Sequence, residues 1–237
     1  MKNLLIISAH ADDNISCAGT IFKLQAERGF VAYEVVLTNS QLGQSYKTLA
    51  EVSPKLVAQV RSKELVKAQR FLGIKKSFVF NQPDLGLTCS QELMFEVVKV
   101  IREVQPEVLF LLNPYDAHPD HKQAFQIGIE ATKVAAMGVL RETLGKSFRV
   151  PMVLCAEGML PIKTQILVDT TKYFMKKEKL FKIYSSQASP KALGFERSLA
   201  TIRGYHLRRS EGKFAEAFTL QEEFPVLFFE NEKKNFS

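Results

Sequence analysis

Leu4-Leu5-Ile6-Ile7-Ser8, running into Ala9-His10-Ala11-Asp12-Asp13-Asn14, is the stretch that decides the fold. Its first five residues form a short continuous apolar run, the pattern of a central strand buried on both faces of a sheet. After Asp13 the period changes. Ile15, Ala18, Ile21, Phe22 and Gln25 recur at helical spacings, and Gly29 stands where a helix ends. A strand, a charged turn and a helix in that order begin an α/β chain.

Working outward, the same alternation continues. A β-branched run predicts a second strand over 31–38, and the polar stretch 39–54 reads as a loop. A helix over 56–72 ending at Gly73, a third strand over 77–80, an amphipathic helix over 91–104 stopped by Pro106, and a fourth strand over 108–112 follow. This order predicts a Rossmann-like α/β fold, a mainly parallel sheet with helices on both faces. The remainder is less regular and reads as a C-terminal α+β elaboration: strands over 150–156 and 165–168, a helix over 172–184, a largely helical stretch over 190–209, and a late edge strand over 226–229. With 237 residues, no internal repeat and no Gly- or Pro-rich linker, one domain over 1–230 with a frayed polar tail over 231–237 is expected.

Composition narrows the class. Hydrophobic residues make up 46% and charged residues 24%, which excludes disordered, collagen-like and disulfide-stapled chains. A net charge of +7 keeps an anionic partner open. The lysines, however, are scattered, a helical period distributes the run Lys176, Lys177, Lys179 and Lys182 partly around its helix, and the favoured reading is a solvated basic surface. The best basic patch, Arg203, His206, Arg208, Arg209 and Lys213, has only Tyr205 for base stacking, so nucleic acid is a poor candidate partner. Cys17, Cys89 and Cys155 are few, odd in number and without a CxxC pair, which suits a reducing cytoplasm. The N-terminus lacks the pattern of a signal peptide, and no segment approaches the roughly 20 apolar residues of a membrane span. The Asn14-Ile15-Ser16 triplet is then a chance glycosylation match.

Two clusters of metal-capable residues follow predicted strands: 9–13 after the first, and Asn113-Pro114-Tyr115-Asp116-Ala117-His118-Pro119-Asp120-His121 after the fourth. Ligands of open α/β sheets gather at the carboxyl ends of strands, so both turns can face one crevice. Three of the four histidines lie in these turns. A catalytic zinc commonly takes three His or carboxylate ligands and leaves a position for water, a number that His10, Asp13 and His121 supply. Asp12 is then free to take a proton from water, His118 to stabilise or protonate the far side of the reacting group, and Asp120 to orient one of the histidines. Each cluster alone could equally be a helix cap or a polar turn feeding a helix near Asp120; their pairing at two strand ends favours a metal site.

These residues resemble the LmbE-like or PIG-L family of zinc-dependent N-acetylglucosamine deacetylases, whose motifs AHPDDE and HxDH stand here as AHADDN, 9–14, and HPDH, 118–121. Arg61 and Glu64 with Leu72-Gly73, the segment 167–187, and Arg203-Gly204 with 214–218 extend the likeness, most of all to the bacillithiol-biosynthesis-type branch. The resemblance implies His10, Asp13 and His121 as zinc ligands, Asp12 as general base, His118 as oxyanion stabiliser or acid, and Asp120 tuning His118. It also implies Arg61 and Asp84 as substrate contacts, an N-acetylated sugar conjugate as substrate, and a homo-oligomer. Ala11 and Asn14 replace the family's proline and glutamate, which relaxes the turn and removes a charge and an acceptor.

Other readings remain open on the residues alone. The same metal would serve an esterase, a phosphatase or another amide hydrolase, and another divalent transition metal would suit the same ligands. A basic binding module of the same fold is the alternative outside enzymes. A dinucleotide site is disfavoured by the absence of GxGxxG after the first strand, and a serine hydrolase by the absence of GxSxG.

Overall fold

A computed structural model describes residues 2–43, 45 and 52–224. Seven strands form one sheet in the order β3-β2-β1-β4-β5-β7-β6: β1 Asn3–Ser8, β2 Val31–Thr38, β3 Ile74–Gln82, β4 Val108–Leu112, β5 Met152–Ala156, β6 Ile166–Asp169 and β7 Ala215–Thr219. The first five strands run parallel, whereas β7 lies antiparallel between β5 and β6. The helices are α1 Ala18–Arg28, α2 Pro54–Leu72, α3 Gln91–Val104, α4 Pro119–Ala136, α5 Arg141–Leu144, α6 Phe174–Ile183 and α7 Pro190–His206, and a 3-10 turn, Asp13–Cys17, leads into α1.

The strand alternation separates two cores. Leu5 and Ile7 of β1 face one layer with Leu109 and Leu111, under α3 and α4, while Leu4 and Ile6 face the other with Phe110, under α1, α2 and α6. Both faces of β1 are therefore covered, which is why it reads as an unbroken apolar run. Helix ends follow local chemistry. Ser53, Ser90 and Ser189 cap α2, α3 and α7 with their hydroxyls, and Gly29 and Gly73 take left-handed conformations at φ 69° and 79° to end α1 and α2.

Boundaries differ from expectation mainly past β4. The third strand is longer than 77–80, α5 and β7 appear where no element was assigned, and α4 starts at Pro119, beside the helix start near Asp120 that the polar-turn alternative gave. The expected strand over 226–229 and the tail over 231–237 lie outside the described residues. Lys177 is not on a solvated face: it is buried, with Nζ 2.9 Å from Glu216 and 3.2 Å from Glu196. Arg203 of the basic patch is held by the Glu157 carboxylate. All three cysteines are free, and no described helix is long and apolar enough to cross a membrane.

The chain order places β1 between β2 and β4, so successive crossovers leave β1 in opposite directions. A crevice opens at such a switch point, beyond the carboxyl ends of the strands. Both polar turns lie there.

Candidate metal centre and active site

His10, Asp12, Asp13, Asp84, His118 and His121 line one cleft of about 560 Å³, within the roughly 300–1,000 Å³ common for small-molecule sites. The turn after β1 is pinned from several sides. Asp13 Oδ2 accepts the His10 backbone N–H at 2.7 Å, and Thr38 of β2 donates its N–H and hydroxyl to the Ala9 carbonyl. Neither acid acts as the simple helix cap that a lone acidic turn suggests: the Asp12 side chain makes no capping bond to the 3-10 turn.

The three expected ligands converge. His10 Nδ1 lies 3.2 Å from His121 Nε2, His121 Nε2 lies 3.2 Å from Asp13 Oδ1, and His10 Nδ1 lies 3.7 Å from Asp13 Oδ2. Ligand atoms about 2.0–2.1 Å from a tetrahedral ion stand roughly 3.3 Å apart, so these donors fit a zinc-sized cation. His118 joins the group with its ring centroid 4.7 Å from His10 and 4.9 Å from His121, and one nitrogen from each of the three histidines falls within 4.8 Å of the others.

Electrostatics point the same way. Burial opposes a charged His10, yet Asp13 and Asp84 outweigh it and raise its pKa to about 11. Burial likewise opposes charge on His121, and Asp13 and Asp116 raise it to about 10. Asp13 is held well below the usual carboxylate range because His121 and His10 overcome the cost of its burial. His118 moves the other way, lowered first by burial and then by its two histidine neighbours. The cluster is a buried acidic cage that calls for a cation.

The outer carboxylates sit differently from expectation. Asp120 does not place its carboxylate against His118. Its Oδ2 is 3.3 Å from His10 Nε2 and accepts the Leu85 N–H at 2.7 Å, and its own backbone N–H donates to His118 Nδ1 at 3.2 Å. That bond leaves Nε2 of a neutral His118 as the protonated nitrogen. Asp84 lines the cleft with both oxygens engaged: Oδ1 lies 3.1 Å from His10 Nε2 and Oδ2 accepts the Leu42 N–H at 2.9 Å. Arg61 is buried, lines the cleft and grips Asp12 Oδ1 through Nη2. Asp116, given no role from sequence, lies 3.0 Å from His121 Nδ1. Only its place in the same turn as His121 hinted at this.

Both departures from the family motif have partners. The Ala11 N–H, which proline would lack, donates to Ser40 Oγ at 3.1 Å. Asn14 is fully buried and donates to Glu34 Oε1 at 2.8 Å and to Tyr184 Oη at 2.9 Å. A carboxylate therefore does stand behind the site, supplied by β2. Tyr115, 73% exposed, does not line the cleft.

Comparison with known proteins places the chain among related sequences and folds. The profile of the PIG-L family, described as GlcNAc-PI de-N-acetylase, matches residues 5–132. The diacetylchitobiose deacetylase of Thermococcus kodakarensis is 34% identical over 141 residues, 58% of this chain and 51% of that one. Among solved structures, the N,N'-diacetylchitobiose deacetylase of Pyrococcus horikoshii superposes with a TM-score of 0.80 at 26% identity, over 92% of this chain and 83% of the other. The 4-carboxy-2-hydroxymuconate hydratase GalB of Pseudomonas putida KT2440 superposes with a TM-score of 0.85 at 25% identity, over 98% and 99%. The chain spans about half the length of the curated relatives it matches.

Proposed function

This chain belongs to the PIG-L family, and from that membership and the site's geometry we propose that it hydrolyses the N-acetyl group of an N-acetylglucosamine-type sugar conjugate, releasing acetate and a free amine. The observation that carries the reading is the convergence of His10 Nδ1, the Asp13 carboxylate and His121 Nε2 within 3.7 Å of one another, with Asp12 and His118 lining the same cleft. His10, Asp13 and His121 would hold a divalent ion, zinc by preference for this ligand set. When bound, that ion polarises an amide carbonyl and acidifies water.

The remaining steps belong to the chain's own side chains. Arg61 fixes Asp12 by one oxygen, and no described side chain takes Oδ2, which is thereby available to accept a proton from the attacking water. His118, neutral and protonated on Nε2 by the argument above, donates a hydrogen bond to the oxygen that gains negative charge as water adds. Collapse breaks the C–N bond, and the amine takes up the proton that Asp12 received. Asp84 and Asp120 fix His10, and Asp116 fixes His121.

The hydratase neighbour defines the rival reaction, in which water is added and nothing is cleaved. That protein's substrate carries carboxylate in its name, whereas in this cleft His10 and His121 already face Asp13, Asp84 and Asp116 and Arg61 is held by Asp12, so that Lys191 is the one lysine or arginine of the lining left to meet a substrate carboxylate. The uncharged acetamide is favoured on that ground. Acetate release from a panel of N-acetylglucosamine conjugates, with metal-loaded and chelated protein, tests the proposal. Metal-dependent release supports it, and no release from any conjugate by metal-loaded protein overturns it.

A further inference from the structure

Four large apolar side chains stand exposed around the mouth of the cleft: Leu42, Leu85, Met159 and Phe195, each between 44% and 58% accessible. Single exposed apolar residues are ordinary on any surface. These four come from separate segments, the loops after β2, β3 and β5 and the helix α7, and all line the cleft that holds His10, Asp12 and His118.

Three of them share a mounting. The backbone N–H of Leu42 donates to Asp84 at 2.9 Å, that of Leu85 to Asp120 at 2.7 Å, and that of Met159 to Asp116 at 3.3 Å. Each of those carboxylates also contacts a site histidine: Asp84 and Asp120 meet His10 at 3.1 and 3.3 Å, and Asp116 meets His121 at 3.0 Å. The groups that orient the histidines thus fix the collar above them. Leu85 further adopts φ 59°, an uncommon conformation for a bulky residue, with its side chain 58% exposed. A leucine held there packs little of itself within the chain, so its apolar surface is placed for something that enters the cleft. Asp116 Oδ2 leaves no room for a side chain at position 158, since a Cβ on Gly158 would approach it to 2.4 Å, and this brings the loop bearing Met159 close to the site.

We infer that this collar receives an uncharged apolar aglycone, an alkyl or aryl group attached to the sugar whose acetamide lies over His10, Asp12 and His118. The inference rests on the deacetylase reading for the sugar and on the collar for the aglycone. A polyanionic aglycone is disfavoured by the carboxylates lining the cleft.

The test compares hexyl and methyl 2-acetamido-2-deoxyglucosides by calorimetric binding to the chelated full-length protein and by acetate release from the metal-loaded protein. Wild-type protein is expected to bind the hexyl glycoside at least about tenfold more tightly, from the added apolar burial. In Leu85→Ser/Phe195→Ser, and independently in Leu42→Ser/Met159→Ser, that ratio is expected to fall to within about threefold. Equal affinity in the wild type, or an unchanged ratio in both folded double variants, overturns the collar. Preferential hexyl binding with no acetate release from either glycoside or from any conjugate of the panel leaves the collar standing and overturns the deacetylase reading. Acetate release from both glycosides with equal affinities does the reverse.

Discussion

Two buried ionic clusters sit in this molecule, and they are balanced in opposite ways. Around Glu216 the carboxylate is answered from within. Lys177 donates to Oε1, and the N–H groups of Gly19 and Thr20 and the Thr20 hydroxyl complete the shell at 2.7–2.9 Å, so a β7 carboxylate caps the start of α1. Burial opposes the charge on Lys177, but Glu216 and Glu196 more than restore it. Around His10 and His121, Asp13, Asp84, Asp116 and Asp120 converge with no lysine or arginine among their ion-pair partners in the described residues. A cluster closed on itself is architecture, whereas one short of positive charge is built to take a cation from outside.

The largest effect expected from breaking the open cluster is on turnover. Asp12→Asn keeps the shape of the side chain but removes the proton acceptor, and acetate release is expected to fall by about 10²- to 10⁴-fold while the metal content found by elemental analysis stays at the wild-type level. Full turnover in this variant would exclude Asp12 as the base. Lys177→Met breaks the closed cluster and leaves Glu216 and Glu196 without their buried cation. It is expected to cost about 3–5 kcal/mol of stability, by the same amount in chelator and in excess zinc. His121→Ala should differ in kind, because its melting temperature should no longer respond to added zinc while that of the wild type rises. Melting curves of the three proteins with and without metal check the contrast; a zinc-dependent cost in Lys177→Met would mean that the two clusters are coupled.

The two clusters were also unequally legible in the sequence. The open one was readable because His and carboxylate side chains are common metal-capable groups and ligands of open α/β sheets gather at the carboxyl ends of strands, so 9–13 and 118–121 stand out after β1 and β4. Its supporting carboxylates were not, since the direction of the Asp84, Asp116 and Asp120 side chains is set by loop packing that no short motif encodes. The closed cluster was hidden altogether. Lys177 lies in a lysine-rich run that reads as a solvated basic surface, and β7 is too short and too alanine-rich to announce a strand inserted between β5 and β6. The parallel half of the sheet was read nearly to the residue at β2, α3 and β4, because burial on both sheet faces leaves continuous apolar runs.

Behind the open cluster, the Asn14–Glu34 pair sharpens the contrast further, since it shows a buried carboxylate answered only by neutral donors. Asn14→Glu restores the residue of the family motif, yet it sets a second carboxylate beside Glu34 in place of a donor at 2.8 Å. A loss of about 1–3 kcal/mol is expected, and Asn14→Glu/Glu34→Gln should recover most of it. A double-mutant cycle by chemical denaturation measures the coupling, and additive costs would mean that the two positions act separately.

The last contrast is a pH dependence. Burial raises Glu34 to about 7 against an ordinary 4.5, with Gln69 and Asn14 donating to it and Asp13 nearby adding to the rise. Below 4.5 the folded and unfolded chains both hold this proton. Between 4.5 and 7 the folded protein keeps a proton that the unfolded chain has released, so this group's contribution to stability declines as pH rises and levels off above about 7. Glu34→Gln has no such proton, so the stability of the variant relative to the wild type should increase from pH 5 to pH 8. A constant difference across that range would mean that Glu34 is already ionised at pH 5, with its charge met by Asn14 and Gln69 as fully as Lys177 meets Glu216.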